Sequence, residues 1–231
     1  MKRVGIIGGL GPESTVDYYK SFIHKYQYKV DSKQDLPELF INSINMYNIF
    51  KYIDENRLED LAKYVGEAAQ KLEQIGADFI IIAANTPHIV FNEIEKMVEV
   101  PMISIVDATY EQAEEQDLQT LGLLGTKFTM THDFFKTTFR DNDKNIVVPH
   151  QDEQEHIHKR IVDELENGIV NEKTKDEFLS IINRMIQEDH IDGIILGCTE
   201  LQMLLNSDDF DIPLLETMDI HVNKMVEKIF E

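Results

Sequence analysis

GADFIIIAANTPH at residues 76–88 and IDGIILGCTEL at residues 191–201 decide the fold class. Each is an apolar run typical of a buried strand, and each ends in a short polar turn that leads into a predicted helix. When the two runs are aligned, Cys198, the only cysteine of the protein, stands opposite Ala84. The pattern therefore predicts a site built by duplication, with a thiol in one half and a methyl group in the other.

Two more pairs of segments extend this duplication along the chain. They are RVGIIGGLGPESTVDYYKSF (3–22) with TLGLLGTKFTMTHDFFKTTF (120–139), and VEVPMISIVDAT (98–109) with FDIPLLETMDIH (210–221). The offset falls gradually, from 117 residues between Gly5 and Gly122 to 112 residues between Pro101 and Pro213. A few single-residue deletions explain this gradual change, whereas chance similarity would give offsets that scatter in both directions. A period near half the chain indicates two copies of one domain rather than a solenoid.

Strand-like runs alternate with amphipathic segments. The predicted strands are 3–8, 38–44, 78–83, 101–105, 119–124, 145–148, 193–197 and 212–216; the predicted helices are 12–29, 57–75, 107–117, 131–140, 153–167, 174–188 and 217–230. Apolar strands separated by helices favour parallel sheets covered on both faces. We expect an α/β fold with lobes at 1–112 and 113–206, and a C-terminal helix within 207–231 packed on the first lobe. Because ligands bind beyond the carboxyl ends of such strands, the site is predicted in the cleft between the lobes.

Composition excludes several classes of function. The hydrophobic content is 42% and no apolar run approaches the roughly 20 residues of a membrane span. The start MKRVGIIGGLG is interpreted as a first strand, not as a signal peptide. One cysteine excludes an internal disulfide and is typical of a cytoplasmic protein. A net charge of −21, from 22 basic and 43 acidic residues, argues against nucleic acid as a partner.

The first glycine-rich turn, GGLGPES, predicts an anion site. Gly9 and Gly11 followed by Ser14 fall one residue short of the dinucleotide fingerprint, and the next strand, LFINSIN at 39–45, lacks the acid that would hold a ribose. No lysine follows the glycines, which excludes a P-loop. Backbone donors at a helix start suit a carboxylate, so Leu10 and Gly11 are candidate ligand contacts.

The other turns offer polar side chains with two interpretations each. In GTKFTM, Thr126 and Thr129 are candidate ligand contacts, although helix capping by Thr129 or Thr131 is an alternative that is compatible with the same pattern. Asn85 and Thr86 can cap the helix that follows or bind the amine or carboxylate of a ligand.

GCTEL carries the candidate chemistry. Cys198 stands between a strand end and a helix start, where the helix dipole is expected to lower the thiol pKa and favour thiolate. A lone cysteine is otherwise a small buried hydrophobe. The duplicated site and the neighbours Thr199 and Glu200 favour the reactive interpretation.

The four motifs GIIGGLGPEST (5–15), IAANTPH (82–88), LLGTKFTM (123–130) and LGCTEL (196–201) together resemble the aspartate/glutamate racemase family, in its aspartate racemase branch. They occur in the family's order and span almost the whole chain. The resemblance implies two pseudo-symmetric flavodoxin-like lobes, commonly a homodimer, and a two-base mechanism without cofactor or metal.

The resemblance also implies roles for residues. In the family each half usually contributes a cysteine; here Cys198 keeps its place as a thiol acid/base, and Ala84 occupies the position of the second base. The implied substrate contacts are Leu10, Gly11, Asn85, Thr86, Thr126, Thr129, Thr199 and Glu200. Three hypotheses follow: a racemase of aspartate or glutamate, a one-cysteine decarboxylase or isomerase of a related dicarboxylate, and a weakly active binding paralogue.

Basic residues that would hold a distal carboxylate are few. They are Lys51 in the loop INMYNIFKY (44–52), and Lys159 and Arg160 in the segment before GCTEL. A small acidic amino acid is the expected substrate. Of the histidines, His88 is a candidate spare acid/base, whereas His150, His156 and His158 are interpreted as surface residues that share no metal.

Overall fold

The computed structural model describes residues 1–231, which divide into two units. The first comprises Met1–Ala108 with Met218–Glu231, and the second comprises Thr109–Thr217. The first boundary therefore lies four residues before the expected residue 112, and the second lies eleven residues after the expected residue 206. Residues 207–217 belong to the second unit, where the strand Leu214–Glu216 pairs with its sheet.

The chain alternates strands and helices as the sequence predicts. Up to residue 115 the elements are β1 (Val4–Gly8), α1 (Pro12–Lys29), β2 (Leu39–Ser43), α2 (Met46–Asp54), α3 (Leu58–Gln74), β3 (Phe79–Ile82), a 3-10 helix (Thr86–Val90), α4 (Phe91–Glu95), β4 (Met102–Ile103) and α5 (Ile105–Glu115). From residue 120 they are β5 (Thr120–Leu124), α6 (Lys127–Thr131), α7 (Phe134–Arg140), β6 (Asn145–Val147), α8 (Gln151–Asp163), a 3-10 helix (Leu165–Asn167), α9 (Glu172–Glu188), β7 (Gly193–Leu196), 3-10 helices at Thr199–Met203 and Ser207–Asp209, β8 (Leu214–Glu216) and α10 (Thr217–Ile229).

Each unit contains a four-stranded parallel sheet with the same topology. The strand orders are β2-β1-β3-β4 and β6-β5-β7-β8. In the first sheet Val4 is paired with Leu39 and with Phe79. Every residue of β1 and β3 is buried, which explains why these strands are apolar throughout rather than alternating. The predicted α/β class and the duplication of the fold are confirmed.

Helices cover both faces of the first sheet because successive strand residues point to opposite sides. Ile80 and Ile82 pack with α3 in one core cluster, whereas Phe79 and Ile81 pack with α1 and α10 in another. The apolar residues of α3 recur at helical spacing and are buried, including Leu61, Val65 and Leu72. In the second unit, α8 and α9 bury the residues Ile157, Ile161, Phe178, Ile182 and Met185 against β7.

The two units repeat a structural detail at the base of each sheet. The Asp78 carboxylate accepts a hydrogen bond from the backbone N–H of Arg3 at 2.7 Å, and the Asp192 carboxylate accepts one from the backbone N–H of Thr120 at 2.9 Å. Both aspartates therefore tie the residue before the third strand of their sheet to the start of the first. This repetition supports the alignment that pairs Ala84 with Cys198.

The prediction that INMYNIFKY (44–52) is a loop is wrong, because residues 46–54 form α2. Asn45 caps this helix by accepting a hydrogen bond from the backbone N–H of Tyr47 at 3.0 Å. Ile49 is buried and Ile53 packs against the same core cluster, so an i, i+4 apolar pair holds the helix to the domain. None of the helices in the molecule combines the length and hydrophobicity needed to cross a bilayer.

Candidate active site

Cys198 stands at the carboxyl edge of the second sheet. β7 ends at Leu196, and the N–H of Gly197 donates to the carbonyl of Leu124 at 2.7 Å. A Cβ on Gly197 would lie only 3.0 Å from Thr129 Cγ2, so glycine permits the backbone to pass close to α6. Cys198 then begins the 3-10 helix Thr199–Met203 in an extended conformation. This local geometry fixes the position of the half-buried thiol.

Glu200 is the hydrogen-bond partner of the thiol. The Cys198 thiol donates to Glu200 Oε2 at 2.9 Å, and the Thr199 hydroxyl donates to the same oxygen at 2.9 Å. Two donors therefore orient one carboxylate against the sulfur. The sequence placed Thr199 and Glu200 among the substrate contacts, whereas the structure gives both a role beside the thiol.

The thiol of Cys198 is held in its protonated form. Burial, followed by the negative charge of Glu200 and the hydrogen bond to it, raises the pKa of Cys198 well above its ordinary value, and Glu166 adds to this effect. The prediction of a helix-stabilised thiolate is therefore wrong. The 3-10 helix that follows has only five residues, and the two nearby carboxylates outweigh any dipole it contributes.

Glu166 is a site residue that sequence reasoning missed. It lies on the 3-10 helix Leu165–Asn167, which packs against the 3-10 helix Thr199–Met203. Partial desolvation and the charge of Glu200 raise the pKa of Glu166. More than thirty residues separate it from Cys198 in the chain, and no local pattern in ELENG distinguishes it from the many other glutamates.

Thr126 and Thr129 hydrogen-bond each other. Thr126 is the N-cap of α6, and its hydroxyl accepts from the backbone N–H of Thr129 at 3.4 Å. The two hydroxyl oxygens are 3.2 Å apart, and Thr129 is buried. A threonine therefore caps this helix, but it is Thr126 and not Thr129 or Thr131, the two residues predicted as caps.

The first unit contains the counterpart of the Cys198 site, with Ala84 in the position of the cysteine. We call each of these two equivalent regions a half-site. Ala84 lies two residues beyond the end of β3, as Cys198 lies two residues beyond the end of β7. The Ser14 hydroxyl donates to the carbonyl of Ala83 at 3.2 Å, which joins the first turn of α1 to this strand end. The structure also brings to this edge the remaining predicted contacts of the first half: Leu10, Gly11, Asn85 and Thr86. Of these, Asn85 is buried and Leu10 packs against the core.

His88 fixes the backbone of this half-site. Its Nε2 accepts a hydrogen bond from the backbone N–H of Ile105 at 3.1 Å, so Nδ1 carries the proton and donates to the carbonyl of Ala84 at 2.9 Å. Burial, with the nearby His221, lowers the pKa of His88 to about 3. Both nitrogens are occupied and the ring is neutral, which argues against the predicted role of a spare acid/base.

The glycine turn before α1 admits no side chain at Gly9. This residue has a φ of +79°, and a Cβ there would lie 2.2 Å from the carbonyl oxygen of Ile44 and 2.6 Å from Ser43 Oγ. Gly9→Ala is therefore expected to lower the free energy of unfolding by about 3 kcal/mol, since both the strain and the backbone clash must be relieved. Urea unfolding followed by circular dichroism measures this change.

Gly168→Ala is the matched control for Gly9→Ala. Gly168 has a similar φ of +71°, but nothing lies within 4 Å of the added Cβ. Only the left-handed backbone then opposes the substitution, and the expected loss is about 1 kcal/mol. Equal losses in the two variants would contradict the close approach of Gly9 to the loop after β2.

The three basic residues that the sequence suggested for binding a substrate's side-chain carboxylate are either paired with other acids or exposed. Arg160 pairs with Glu164 at 2.5 Å and with Glu177 at 3.2 Å. Lys159 lies two residues from the buried Ile157, which places it on the opposite face of α8, and it is exposed. Lys51 has the same relation to the buried Ile49 on α2 and is also exposed.

The three histidines near α8 form no metal site. His156 Nε2 lies 2.8 Å from Glu177 Oε2, and His150 is exposed at the N-cap of α8. No three or more His, Cys, Asp or Glu side chains of the molecule are grouped so as to hold a metal ion.

The duplicated sheets and the thiol at one carboxyl edge define an α/β protein with two related half-sites. The model of one family, described as Asp/Glu/hydantoin racemase, matches residues 7–225. The chain therefore belongs to the Asp/Glu/hydantoin racemase family.

Three similar proteins extend this assignment. The broad specificity amino-acid racemase RacX of Bacillus subtilis is 25% identical over 217 residues, which cover 93% of this chain and 92% of RacX. The structure of an aspartate racemase homologue from Pyrococcus horikoshii OT3 has a TM-score of 0.89 and 38% identity, with 100% of both chains covered. The aspartate racemase of Picrophilus torridus has a TM-score of 0.74 and 25% identity, covering 99% of this chain and 94% of that one.

Proposed function

We propose that the protein is a cofactor-independent amino-acid racemase in which Cys198 is the thiol acid/base. The observation that carries the proposal is the hydrogen bond of 2.9 Å between the Cys198 thiol and the Glu200 carboxylate at the end of β7. A family of racemases and a relative named as a broad specificity amino-acid racemase support it. Aspartate and glutamate are the substrates first suggested by the sequence.

The proposed mechanism uses Cys198 and Glu200 together. Racemisation removes the α-proton from one face of the substrate and returns a proton to the other. Glu200 accepts the thiol proton, the thiolate takes the proton from Cα, and the electron pair stays on the substrate as a carbanion. Water then protonates the opposite face, because the methyl group of Ala84 neither donates nor accepts a proton. The proton held by Glu200 neutralises the hydroxide that is left, so Cys198 ends the cycle protonated and Glu200 ionised, as at the start. In the reverse sense the protonated thiol donates to the carbanion directly.

The proposed substrate contacts are backbone and polar groups of the half-site that contains Ala84. The start of α1 at Leu10 and Gly11 offers backbone N–H groups for a carboxylate. Asn85 and Thr86 begin the 3-10 helix after Ala84. We assign no substrate contact to Thr126 or Thr129, because their hydroxyls are engaged with each other. A homodimer and a cytoplasmic location stay predictions from the sequence.

Proton NMR in deuterium oxide tests this function. Incubation with L- and D-amino acids is expected to remove the α-proton signal as deuterium enters, and chiral chromatography then measures inversion. In Cys198→Ala the exchange rate is expected to fall by at least about 100-fold, since a positioned acid/base contributes 10²–10⁴ in rate. The same loss is expected in Cys198→Ser, which retains a hydroxyl donor to Glu200. Absence of exchange with every amino acid, or equal exchange in Cys198→Ala, would overturn the proposal.

A second candidate is a one-base decarboxylase of a substituted dicarboxylate, favoured by the methyl group at Ala84. Loss of CO₂ from such a substrate leaves a carbanion, to which the protonated Cys198 thiol donates a single proton. This reaction needs no second acid/base. Release of CO₂ that depends on Cys198, without α-proton exchange of amino acids, would select this candidate over the racemase.

A further inference from the structure

Glu164 joins α8 to the first of the two 3-10 helices that pack together beside the thiol. Its backbone N–H donates to the carbonyl of Arg160 at 3.1 Å and completes the last turn of α8. Its own carbonyl accepts hydrogen bonds from the N–H groups of Asn167 and Ile169, both at 3.0 Å. One residue therefore ends α8 and closes the turn that contains the 3-10 helix Leu165–Asn167.

The side chain of Glu164 is largely buried, and both of its oxygens are paired. It is only 13% exposed, so an ionised carboxylate at this position needs partners to offset its loss of water. Arg160 of α8 donates to Oε1 at 2.5 Å, and the Thr174 hydroxyl donates to Oε2 at 2.6 Å. Thr174 is completely buried in the first turn of α9. The carboxylate thus holds the end of α8 to the start of α9.

Leu165, the next residue, links Glu164 to the candidate active site. Leu165 is buried in the same core cluster as Leu201, and the two 3-10 helices that carry these leucines pack against each other. The N–H of Leu201 donates to the carbonyl of Cys198 at 3.2 Å. Glu200 lies between these two residues in the chain, so a shift of this turn changes the distance between its carboxylate and the sulfur.

We propose that Glu164 is a positioning residue, which keeps the Glu200 carboxylate in contact with the Cys198 thiol without touching the substrate. The inference rests on the proposed function, in which these two groups transfer the α-proton. A hydrogen bond weakens steeply when its geometry departs from the optimum, so release of the 3-10 helix after Glu164 disrupts the pair. The same helix carries Glu166, the other carboxylate that acts on the thiol. Glu164 therefore controls the position of both negative charges beside Cys198.

Alkylation by iodoacetamide tests this arrangement directly, because Cys198 is the only thiol of the protein. The thiolate is the reactive form, so the rate at each pH measures the ionised fraction. Glu164→Gln has a single side-chain oxygen and cannot replace the two separate contacts to Arg160 and Thr174. It is expected to lower the pH midpoint of alkylation by about one unit and to raise the rate at neutral pH about 10-fold, because the two nearby carboxylates no longer stabilise the protonated thiol.

Exchange kinetics supply a second measurement that a purely structural role would not change in this way. In Glu164→Gln the kcat for α-proton exchange is expected to fall about 10-fold with KM unchanged, because the residue acts on the catalytic pair and not on the substrate. Thr174→Val removes one of the two contacts to Glu164 and is expected to raise the alkylation rate about threefold. Thr174→Ser retains the hydroxyl and is expected to restore the profile of the unmodified protein.

Glu177→Gln is the matched control. Glu177 is the other acid that pairs with Arg160, at 3.2 Å, but it lies within α9 and not at the end of α8, so its alkylation profile is expected to stay unchanged. An unchanged profile in Glu164→Gln, or in Thr174→Val if Glu164→Gln does not fold, would overturn the inference and leave the racemase function standing. An equal change in Glu177→Gln would do the same. Failure of the unmodified protein to exchange any amino acid would instead overturn the proposed function.

Discussion

Ala84→Cys is expected to increase the rate of full inversion by about 100-fold or more, because a positioned thiol replaces water as the second acid/base. The position is suited to this change, since it follows β3 by two residues as Cys198 follows β7. His88 already holds the Ala84 carbonyl through a hydrogen bond of 2.9 Å, so the backbone of the turn is fixed in advance. Chiral chromatography of the product and deuterium wash-in, measured together, separate inversion from exchange on one face.

Ala84→Ser is the control for Ala84→Cys. It adds a side chain of similar size whose hydroxyl is a much weaker acid than a thiol, so a small change or none is expected. If Ala84→Cys leaves inversion unchanged while wash-in through Cys198 continues, the two half-sites do not act on one substrate, and the duplicated-site mechanism is wrong.

Acidification from pH 7 to pH 5 is expected to cost the first unit about 4 kcal/mol of unfolding free energy, through two buried neutral histidines. His221 Nε2 donates to the carbonyl of Ile103 at 2.9 Å, and its Nδ1 accepts from the Tyr18 hydroxyl at 2.9 Å. Burial lowers the pKa of His221 to about 4, and that of His88 is about 3.

The sign of this effect follows from proton uptake. Below the ordinary histidine pKa of about 6.5, these two histidines bind protons in the unfolded chain but not in the folded protein. The free energy of unfolding therefore falls as the pH decreases toward the folded pKa values. Each histidine accounts for about 2 kcal/mol between pH 7 and pH 5. Urea unfolding at the two pH values measures the difference. His221→Gln retains a neutral hydrogen-bonding side chain and is expected to lose about half of the pH dependence.

An unchanged unfolding free energy between pH 7 and pH 5 would show that these histidines are protonated in the folded protein. The same conclusion would follow for His221 alone if His221→Gln kept the whole pH dependence. Carboxylates contribute mainly below this window, since their ordinary pKa values lie near 4. The comparison between the unmodified protein and His221→Gln therefore isolates the contribution of His221 to the pH dependence of stability.

The chemistry of the candidate site depends on contacts that no local pattern reveals. Cys198 stands where the strand pattern predicts it, but its thiol pKa is raised first by burial, then by Glu200, which contacts the sulfur, and by Glu166 on a separate 3-10 helix. The sequence suggests His88 as an acid/base. In the structure both of its ring nitrogens form hydrogen bonds to backbone groups, and one of these groups, the N–H of Ile105, lies 17 residues away in the chain.

The sequence by itself determined the parallel α/β class, the duplication, the position of every strand, and the placing of Cys198 and Ala84 at equivalent strand ends. These features depend on the order of apolar and polar residues along the chain, which sets strand, turn and helix locally. Only the tertiary structure decided the helical state of residues 46–54, the raised pKa of the thiol, and the packing of the 3-10 helix that carries Glu166 against the one that follows Cys198. Each of these depends on burial and on charges brought together from distant parts of the chain, and electrostatic interaction in a partly desolvated site is set by distance in space, not by distance in sequence.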